Sequence, residues 1–569
     1  MKENYVFSDL VYECPDFIEV QKEIENITTK VKNATNYGEI RDAMFNIEAL
    51  KEDISLAENL SFIRNFQDPT DEYYVNEVQK VTEGITLTNY NELNVALLES
   101  PFSKDIDNEF GEAYLDKVRI DLKVHGKGKE LMVQEQMLII QYQQLKTSMK
   151  YEFNGEVLSE SELNKYYDST NREVRKNAKI TFYKVHMEHR DEFEDILNKL
   201  VKVRVEIAKA NGFDSYLDYM NLEKGRKGYG EKELNAFCEE VKKDLVPFYS
   251  EIHKAQAKRI GIPKMASYDY SIVFPDGNPE PSGDSTYLLS AAKEMYHDLS
   301  KESGEFFDFM LKHELMDVEA SSKKIANMGF STNLDKYKIP FIFANFNRTA
   351  WDVAVLTHEV GHAYQGYLSM LKHTLSDYYY GGNDIVEVPS KAMEQFSYPY
   401  AEKFFGKDAD KFKFSHLCEI LIEIGKYSSL NEFENYLYMN PDASTKDRAL
   451  EYNRIKKLYD PELDNSEFAE YIEAGCDLYS NMAINMFPKY VISYALSSMG
   501  AMEFMKKINE DKELGWKDYM ALCEAGGSLS YTELLKTANI SLPYMEGAVA
   551  NATAYPKKII QEYIDIELK

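Results

Sequence analysis

The stretch His358-Glu359-Val360-Gly361-His362 constrains this chain more than any other part of it. On a helix, residues four apart lie on one face, with their Cβ atoms about 5–6 Å apart. His358 and His362 can therefore bind one ion, each through a neutral ring nitrogen, as in zinc sites. Glu359 lies one step round the helix, so it is poorly placed as a ligand but well placed to take a proton from a water that the ion activates.

The residues before this motif favour a helix. Thr349 and Asp352 resemble a capping box, although Asp stands where Glu or Gln is usual. Apolar residues then precede the first histidine. The alternative is that two of the 10 histidines lie four apart by accident on a surface helix. A chance match of this pattern is expected on the order of a few hundredths of a time in such a chain, so the motif is a specific signal.

A catalytic zinc site needs a third protein ligand and an open position, whereas a structural site needs four protein ligands. Downstream, a turn signal at Gly381-Gly382-Asn383 is followed by the segment 387–394, which reads Glu-Val-Pro-Ser-Lys-Ala-Met-Glu. Glu387 is the candidate third ligand, on a second helix that packs back on the first. Glu394 lies on the same helical face and is a candidate acceptor for the ring N–H of a ligand histidine. The alternative is that both are solvated acids.

These motifs resemble the thimet oligopeptidase and oligoendopeptidase F family of zinc peptidases, and its oligoendopeptidase F branch in particular. Further segments that resemble the branch are 329–332 (Gly-Phe-Ser-Thr), 339–346 (Ile-Pro-Phe-Ile-Phe-Ala-Asn-Phe) and 494–496 (Tyr-Ala-Leu). The resemblance implies one Zn²⁺ per chain, with His358, His362 and Glu387 as ligands and Glu359 as the base. It also implies a deep substrate channel between two helical lobes, which admits short unfolded peptides and excludes folded proteins.

The family uses tyrosines of its C-terminal region to stabilise the oxyanion, which makes Tyr494 and Tyr490 candidate catalytic residues. Core packing is the alternative for both, because the chain has 42 tyrosines. The family also has a histidine shortly before these tyrosines. Its place here falls near Met482 or Ala483, no histidine follows His416, and Val491 replaces a second tyrosine. Loss of one oxyanion donor typically costs about 10²–10³ in rate, so we expect slow turnover with normal zinc affinity.

The composition limits the partners of the chain. Its formal charge is −30, from 66 basic and 96 acidic residues, which argues against nucleic acid and anionic membranes as partners. The five cysteines are scattered and form no C-x-x-C motif, so they predict reduced thiols rather than disulfides or a zinc site. The sequence shows neither an N-terminal signal segment nor a membrane-spanning apolar run. We therefore expect a cytoplasmic protein.

Helical periodicity dominates the chain, with helices predicted over residues 15–32, 38–65 and 71–83 among others. Strand signals are few. Leu138, Ile140 and Tyr142 alternate with polar residues, and Asn154-Gly155 predicts a hairpin turn. The prediction is a mainly α, two-lobed fold with a small β-sheet beside the His358 helix. We place an N-terminal helical lobe at residues 1–160 and the catalytic domain at residues 161–569.

The segment 339–347 predicts a short apolar strand with Pro340 near its start, as is typical of an edge strand. An edge strand next to a metal-binding helix can hold an extended peptide by main-chain hydrogen bonds. Phe343, Ala344 and Asn345 are therefore candidate substrate-binding residues, with an ordinary core strand as the alternative.

Taken together, the residues and the resemblance predict a zinc-dependent endopeptidase that acts on short unfolded peptides. Two other functions stay open. The first is a catalytically weakened, zinc-holding peptide binder, and the second is a helical scaffold whose motif is accidental.

Overall fold

Helices dominate the structure, a computed structural model that describes residues 6–325 and 328–567. The predicted mainly α fold is confirmed, and so is the small sheet beside the helix of the histidine motif. Contacts divide the chain into two compact units. The first unit comprises Met1–Leu122, Pro279–Ala409 and Gly500–Ser541, and the second comprises Lys123–Asn278, Asp410–Met499 and Leu542–Lys569. The domain boundary predicted near residue 160 stays a prediction.

The helices that belong wholly or mainly to the first unit are α1 Phe17–Asn33, α2 Tyr37–Gln67, α3 Glu72–Leu87, α4 Asn91–Glu99, α5 Ser103–Phe110, α6 Glu112–His125, α14 Ser285–Leu299, α15 Lys301–Lys312, α16 Ala350–Lys372, α17 Glu387–Phe396, α18 Ala401–Phe405, α25 Lys512–Ala525 and α26 Tyr531–Thr537. Those of the second unit are α7 Lys129–Ser148, α8 Glu160–Asn164, α9 Arg172–Glu188, α10 Arg190–Ala210, α11 Tyr216–Glu223, α12 Glu231–Asp244, α13 Val246–Arg259, α19 Ala409–Met439, α20 Thr445–Tyr459, α21 Ala469–Glu473, α22 Cys476–Tyr479, α23 Met482–Met486 and α27 Ala548–Glu567. The segment α24 Ile492–Glu510 begins in the second unit and ends in the first.

The N-terminal helices form because each combines a capping residue with one apolar face. In α1, the Asp16 side chain accepts the N–H groups of Ile18 and Glu19 and so satisfies the first turn. Val20, Ile24, Ile27 and Val31 then follow at helical spacing and are buried against α2 and α4.

Two side chains from the segment after α16 complete this N-terminal core. Leu375 and Tyr378 are buried in the same apolar cluster as residues of α1, α2, α4 and α6. The segment that connects α16 to α17, residues 373–386, is therefore packed on the N-terminal helices; we call it the connecting loop.

A three-stranded sheet lies against α16. Its strands are β3 Met316–Asp317, β4 Gly329–Leu334 and β5 Ile339–Ala344, and their order is β3-β5-β4. The pair β4–β5 is antiparallel, with Ser331 opposite Ile342, and the pair β3–β5 is parallel. The order places β5 at the centre of the sheet, and every residue of this strand is buried, as is typical of a central strand.

The position of β5 corrects one prediction, because the strand predicted at an edge has a neighbour on each side. Pro340 is tolerated because β3 pairs only with Ile342 and Phe343. The Ile342 N–H donates to the carbonyl of Leu315 on the β3 side, at 2.9 Å. Pro340, two residues earlier, has its nitrogen on that same side but beyond the end of β3, so no sheet hydrogen bond is lost.

The second unit contains the hairpin of β1 Tyr151–Phe153 and β2 Glu156–Leu158, as predicted. Asn154 and Gly155 form its turn with φ of 51° and 83°, as a two-residue hairpin of this type requires. The alternating residues Leu138, Ile140 and Tyr142 are helical instead, within α7. Leu138 and Tyr142 are buried four residues apart, which is helical spacing, while Ile140 is exposed.

The described residues include no helix that is both long and apolar enough to cross a bilayer. The cysteines are free, and all except Cys14 are buried.

Candidate active site

Helix α16 places His358, Glu359 and His362 as the motif predicts. The two ring Nε2 atoms of His358 and His362 lie 3.1 Å apart. Both histidines are only partly buried, whereas Glu359 is 6% exposed. The face of α16 that carries the histidines is therefore accessible, and the carboxylate next to them is largely shielded from water.

The start of α16 differs from the predicted capping box. The Thr349 side chain makes no capping hydrogen bond to the helix, and its hydroxyl donates to Asn347 Oδ1 at 2.6 Å. The Asp352 carboxylate instead accepts the N–H groups of Asn347 and Arg348, at 3.0 and 2.7 Å. Arg348 has a positive φ of 67°, so the chain turns sharply just before the helix. Asp352 therefore binds the main chain of the turn before the helix, and the predicted reciprocal capping by Thr349 and Asp352 does not form.

Helix α17 brings a third donor atom to the two histidines. Glu387 Oε2 lies 3.2 Å from His358 Nε2 and 3.1 Å from His362 Nε2. Three ligands of a tetrahedral zinc ion, each about 2.0–2.1 Å from the metal, are separated from one another by roughly 3.3 Å. The imidazole and carboxylate donors of this triangle therefore fit Zn²⁺ in both their chemistry and their spacing.

A glycine allows this approach of the two helices. A Cβ atom on Gly361 would lie 2.5 Å from Ser390 Cα and 2.7 Å from the carbonyl oxygen of Pro389. Only a residue without a side chain lets α17 lie this close to α16. Gly361 therefore sets the distance between the helix of the histidines and the helix of Glu387.

Second contacts orient two of the three donors. His358 Nδ1 lies 2.5 Å from Glu394 Oε1, so this ring is held from its other nitrogen. The Ser390 hydroxyl, fully buried, donates to Glu387 Oε2 at 2.9 Å. The sequence placed Glu394 by its helical face, but it gave no role to Ser390. The position of Ser390, three residues after the candidate ligand Glu387 on a predicted helix, could have predicted this hydrogen bond.

Charge and burial shift the pKa values in the site strongly. Burial acts to lower the pKa of His358, but its hydrogen bonds to the carboxylates of Glu387 and Glu394 raise this pKa well above the usual range. Burial raises the pKa of Glu387, yet His362 and His358 bring it well below its usual range. Burial also raises the pKa of Glu359, opposed by the two histidines. The carboxylates of Glu387 and Glu394 therefore favour positive charge at His358, which is also the electrostatic environment that suits a metal cation.

The connecting loop is fixed by ion pairs to α2. Lys51 Nζ lies 2.7 Å from Asp377 Oδ2 and 3.1 Å from Glu48 Oε1. Glu48 Oε2 in turn accepts the main-chain N–H and the hydroxyl of Ser376, both at 2.8 Å. The N-terminal helices therefore hold the segment that joins the two helices of the donor triangle, α16 and α17.

The predicted substrate residues have other partners. The main chain of Phe343 is paired with Asp317 of β3 and Phe330 of β4. Asn345 is buried, and its side chain binds the main chain of Ser321, Lys324 and Ile325. The edge strand next to α16 is β4, since β5 is its one sheet neighbour in the described part of the chain.

The candidate oxyanion donors lie in the second unit. The hydroxyls of Tyr490 and Tyr494 are 3.4 Å apart, and both rings are half-buried. The residue before them, Lys489, is fully buried with a positive φ of 58°. Its carbonyl accepts Arg226 Nη2 at 3.0 Å, and its N–H donates to Glu434 Oε1 at 2.9 Å. A buried polar network therefore fixes the turn that carries the two tyrosines.

Comparison with known families agrees with this geometry. The sequence model of the peptidase M3 N-terminal domain matches residues 7–125, and that of peptidase family M3 matches residues 291–552. The second match contains every residue of the donor triangle as well as both candidate tyrosines.

Individual proteins similar to this chain are also named as peptidases. An oligoendopeptidase F homologue of Borreliella burgdorferi is 22% identical over 458 residues, which covers 75% of this chain and 74% of that protein. Among solved structures, a PZ peptidase A with a bound inhibitor is 32% identical, covers 98% of this chain and 99% of its own, and superposes with a TM-score of 0.86. A protein from Bacillus anthracis assigned as an oligoendopeptidase F is also 32% identical, covers 99% of this chain and 98% of its own, and has a TM-score of 0.82.

Proposed function

Because the chain belongs to peptidase family M3 and is a peptidase, we propose that it hydrolyses short unfolded peptides with one zinc ion. The observation that carries the proposal is the triangle of His358 Nε2, His362 Nε2 and Glu387 Oε2, with sides of 3.1–3.2 Å. Zinc bound there supplies a Lewis acid that lowers the pKa of a water and polarises the scissile carbonyl.

The side chains around the triangle have separate tasks in this proposal. Glu359 takes the proton of the attacking water and passes it to the leaving amine. Its burial suits this task, because a carboxylate whose pKa is raised accepts and returns a proton more evenly near neutral pH. Glu394 and Ser390 position His358 and Glu387 and do not contact the substrate.

The peptide needs a main-chain partner beside the metal-binding helix. We assign this role to the outer edge of β4, in place of Phe343, Ala344 and Asn345, because β5 is already paired on both sides at Phe343. A sheet edge gives main-chain hydrogen bonds to any extended sequence, which suits a peptidase with many substrates.

We propose Tyr494, with Tyr490 beside it, as the donor to the oxyanion. A catalytically weakened, zinc-holding peptide binder is the second candidate function. It is favoured by the residues Met482, Ala483 and Val491, at the places where the family carries a histidine and a further tyrosine. Turnover decides between the two. An enzyme of ordinary rate turns over about tens of times per second, and each missing donor lowers this by about 10²–10³.

The free, mostly buried cysteines fit a reducing compartment, and we propose a cytoplasmic location on that ground.

The test is turnover of a quenched peptide of ordinary sequence, with and without a chelator, in wild type and Glu359→Gln. We expect the chelator to abolish turnover and added zinc to restore it. Glu359→Gln should keep one zinc per chain but lose about 10²–10⁴ in kcat, because an amide cannot accept the proton. Glu402→Gln, an exposed acid of α18, is the matched control and should behave as wild type. Chelator-resistant turnover, or Glu359→Gln activity within a few-fold of wild type, would refute the mechanism.

A further inference from the structure

The outer edge of β4, on the side away from β5, carries an alternating set of main-chain groups. The Ile342 N–H donates to the carbonyl of Leu315 on the β3 side, so the main-chain groups of Ile342 face β3. Ser331 is the partner of Ile342 in β4, and in an antiparallel pair of this kind both residues turn their N–H and C=O groups away from each other. Ser331 therefore faces outward, and by the same alternation so do Gly329 and Asn333.

At Asn333 this edge is closed by a side chain of the protein itself. Asn59 of α2 donates from Nδ2 to the carbonyl oxygen of Asn333 at 2.9 Å. Asn59 is held in this position because its Oδ1 accepts the hydroxyl of Thr332 at 2.7 Å. Asn59 lies in the same compact unit as β4.

The other outward positions differ. Within residues 6–325 and 328–567, no side chain takes the outward main-chain groups of Gly329 or Ser331. Among the described residues, the outward main-chain groups at one end of the edge are thus unpaired, and those at the other end are occupied.

The candidate metal site lies between these two ends. Gly329 is so close to the first half of α16 that a Cβ atom on it would lie 2.5 Å from Val355 Cγ1. Asn333 meets the second half, since a Cβ atom on Gly366 would lie 2.3 Å from Asn333 Oδ1. His358 and His362 lie between Val355 and Gly366 along the helix. The strand therefore passes the metal-binding turn with its open end on one side and its closed end on the other.

We infer that Asn59 is a specificity-determining residue that ends the peptide-pairing edge at Asn333. The inference rests on the proposed function. A peptide with its scissile bond at the metal site gains main-chain hydrogen bonds along the Gly329 side. On the Asn333 side it must leave the sheet within about two residues, because the outward carbonyl of Asn333 is taken. Oligopeptides are then bound asymmetrically about the cleaved bond.

The test uses two series of quenched peptides with one fixed scissile bond, lengthened residue by residue on the N-terminal side or on the C-terminal side. Wild type should gain about 2- to 10-fold in kcat/KM for each added residue pair in one series, the gain expected of one hydrogen bond. In the other series kcat/KM should become constant beyond two residues. Equal and continuing gains in both series would overturn the inference.

Two variants locate the cause of the constant series. Asn59→Ala frees the Asn333 carbonyl, and Asn59→Asp frees it while keeping an oxygen that accepts the Thr332 hydroxyl. Each variant should restore a length-dependent gain in the series that is constant in wild type, and should leave the other series unchanged. Asn46→Ala, an exposed asparagine on α2, is the matched control. If both variants, folded as judged by thermal unfolding, leave the constant series constant, Asn59 does not set the limit.

The same peptides distinguish a failure of the proposed function from a failure of this inference. If wild type does not cleave the shortest peptide of either series in a chelator-sensitive reaction, the peptidase mechanism is wrong. If it does cleave that peptide but both series rise alike, only the closed edge is wrong.

Discussion

His358 uses both of its ring nitrogens, Nε2 towards His362 and Glu387 and Nδ1 towards Glu394. A ring bound on both sides has one orientation, which is what a metal ligand requires. The carboxylate of Glu387 is also held by a second contact, because its Oε2 accepts the Ser390 hydroxyl. Hydrogen bonds to neighbouring side chains therefore fix the orientation of His358 and of Glu387.

The first prediction concerns His358. We expect His358→Ala to lose its zinc, because two remaining donors do not make a catalytic zinc site. Metal analysis of the purified protein should fall from one zinc per chain to near zero, with the helical circular dichroism unchanged. His189→Ala is a matched control, since His189 is half-buried and its Nδ1 contacts Glu192 of the following helix α10, at 2.8 Å. Full zinc content in His358→Ala would disprove the assignment of this ligand.

The second prediction concerns Glu434, a fully buried residue of α19. Burial raises the pKa of Glu434 to about 7, although Lys489 opposes the shift. Its Oε1 accepts the Lys489 N–H, and its Oε2 has no hydrogen-bond partner in the described part of the chain, as suits a protonated carboxyl. A carboxyl with a raised pKa in the folded state stabilises the fold below its unfolded pKa of about 4.5, and this stability is lost as the pH rises through 7.

Glu434→Gln should remove this loss, because an amide resembles the protonated acid and can still accept the Lys489 N–H. We expect the variant to match wild type near pH 4.5 and to exceed it in free energy of unfolding at pH 8, by at most about 3 kcal/mol. Urea unfolding at the two pH values measures the difference. Glu423→Gln, half-buried on the same helix, controls for the change in formal charge. An equal pH dependence in wild type and Glu434→Gln would contradict the shift.

Helix α16 and helix α17 pack with their main chains in contact, because Gly361 has no side chain between them. Gly361→Ala places a methyl group against Ser390 Cα and the Pro389 carbonyl, which are backbone atoms that cannot rotate away. Overpacking of this kind costs about 1–3 kcal/mol, and it should also move Glu387 away from the histidines. We therefore predict both a lower free energy of unfolding and weaker zinc binding, measured by denaturant unfolding and by competition with a chelator.

The matched control for this element is Gly382→Ala in the connecting loop. A Cβ atom on Gly382 would have no neighbour within 4 Å, so the same chemical change should leave stability and zinc binding as in wild type. Zinc affinity equal to wild type in Gly361→Ala would show that the spacing of the two helices does not depend on this glycine.

The sequence predicted those elements whose signals are local. The helix of His358 and His362, the second helix with Glu387 and the turn at Asn154-Gly155 all follow from spacing within a few residues. The centre of the sheet was mispredicted because β3 has just two residues, Met316 and Asp317, and leaves no periodic signal. Its pairing with β5 is a long-range contact, and so are the contacts of Asn59 with β4, which no local pattern reveals.

At the scale of the whole molecule, the first unit joins segments that are far apart in sequence, Met1–Leu122, Pro279–Ala409 and Gly500–Ser541. The N-terminal helices belong to the same unit as α16 and α17, and Lys51 and Glu48 bind the connecting loop to α2. The N-terminal region is therefore a structural support of the candidate site, a role that helical periodicity alone did not indicate.

The last prediction follows from the net charge of −30. A strongly negative protein attracts cationic ligands over a distance set by the Debye length, which is about 30 Å at 0.01 M salt and about 8 Å at 0.15 M. Such steering raises association rates by 10- to 1,000-fold in strongly charged systems, and it acts on kcat/KM rather than on kcat. A peptide flanked by lysines should therefore be cleaved with a higher kcat/KM than the same peptide flanked by glutamates.

The salt dependence separates this long-range effect from a local contact in the site. We compare three peptides with one cleavage sequence and flanks of two lysines, two serines or two glutamates, at 0.01 M and 0.15 M salt. The ratio of kcat/KM for the lysine and glutamate peptides should fall towards one as salt increases, with the serine peptide nearly constant and kcat alike for all three. A ratio that is large but independent of salt would mean that the preference comes from a specific side-chain contact, because close pairs are screened much less than distant charges.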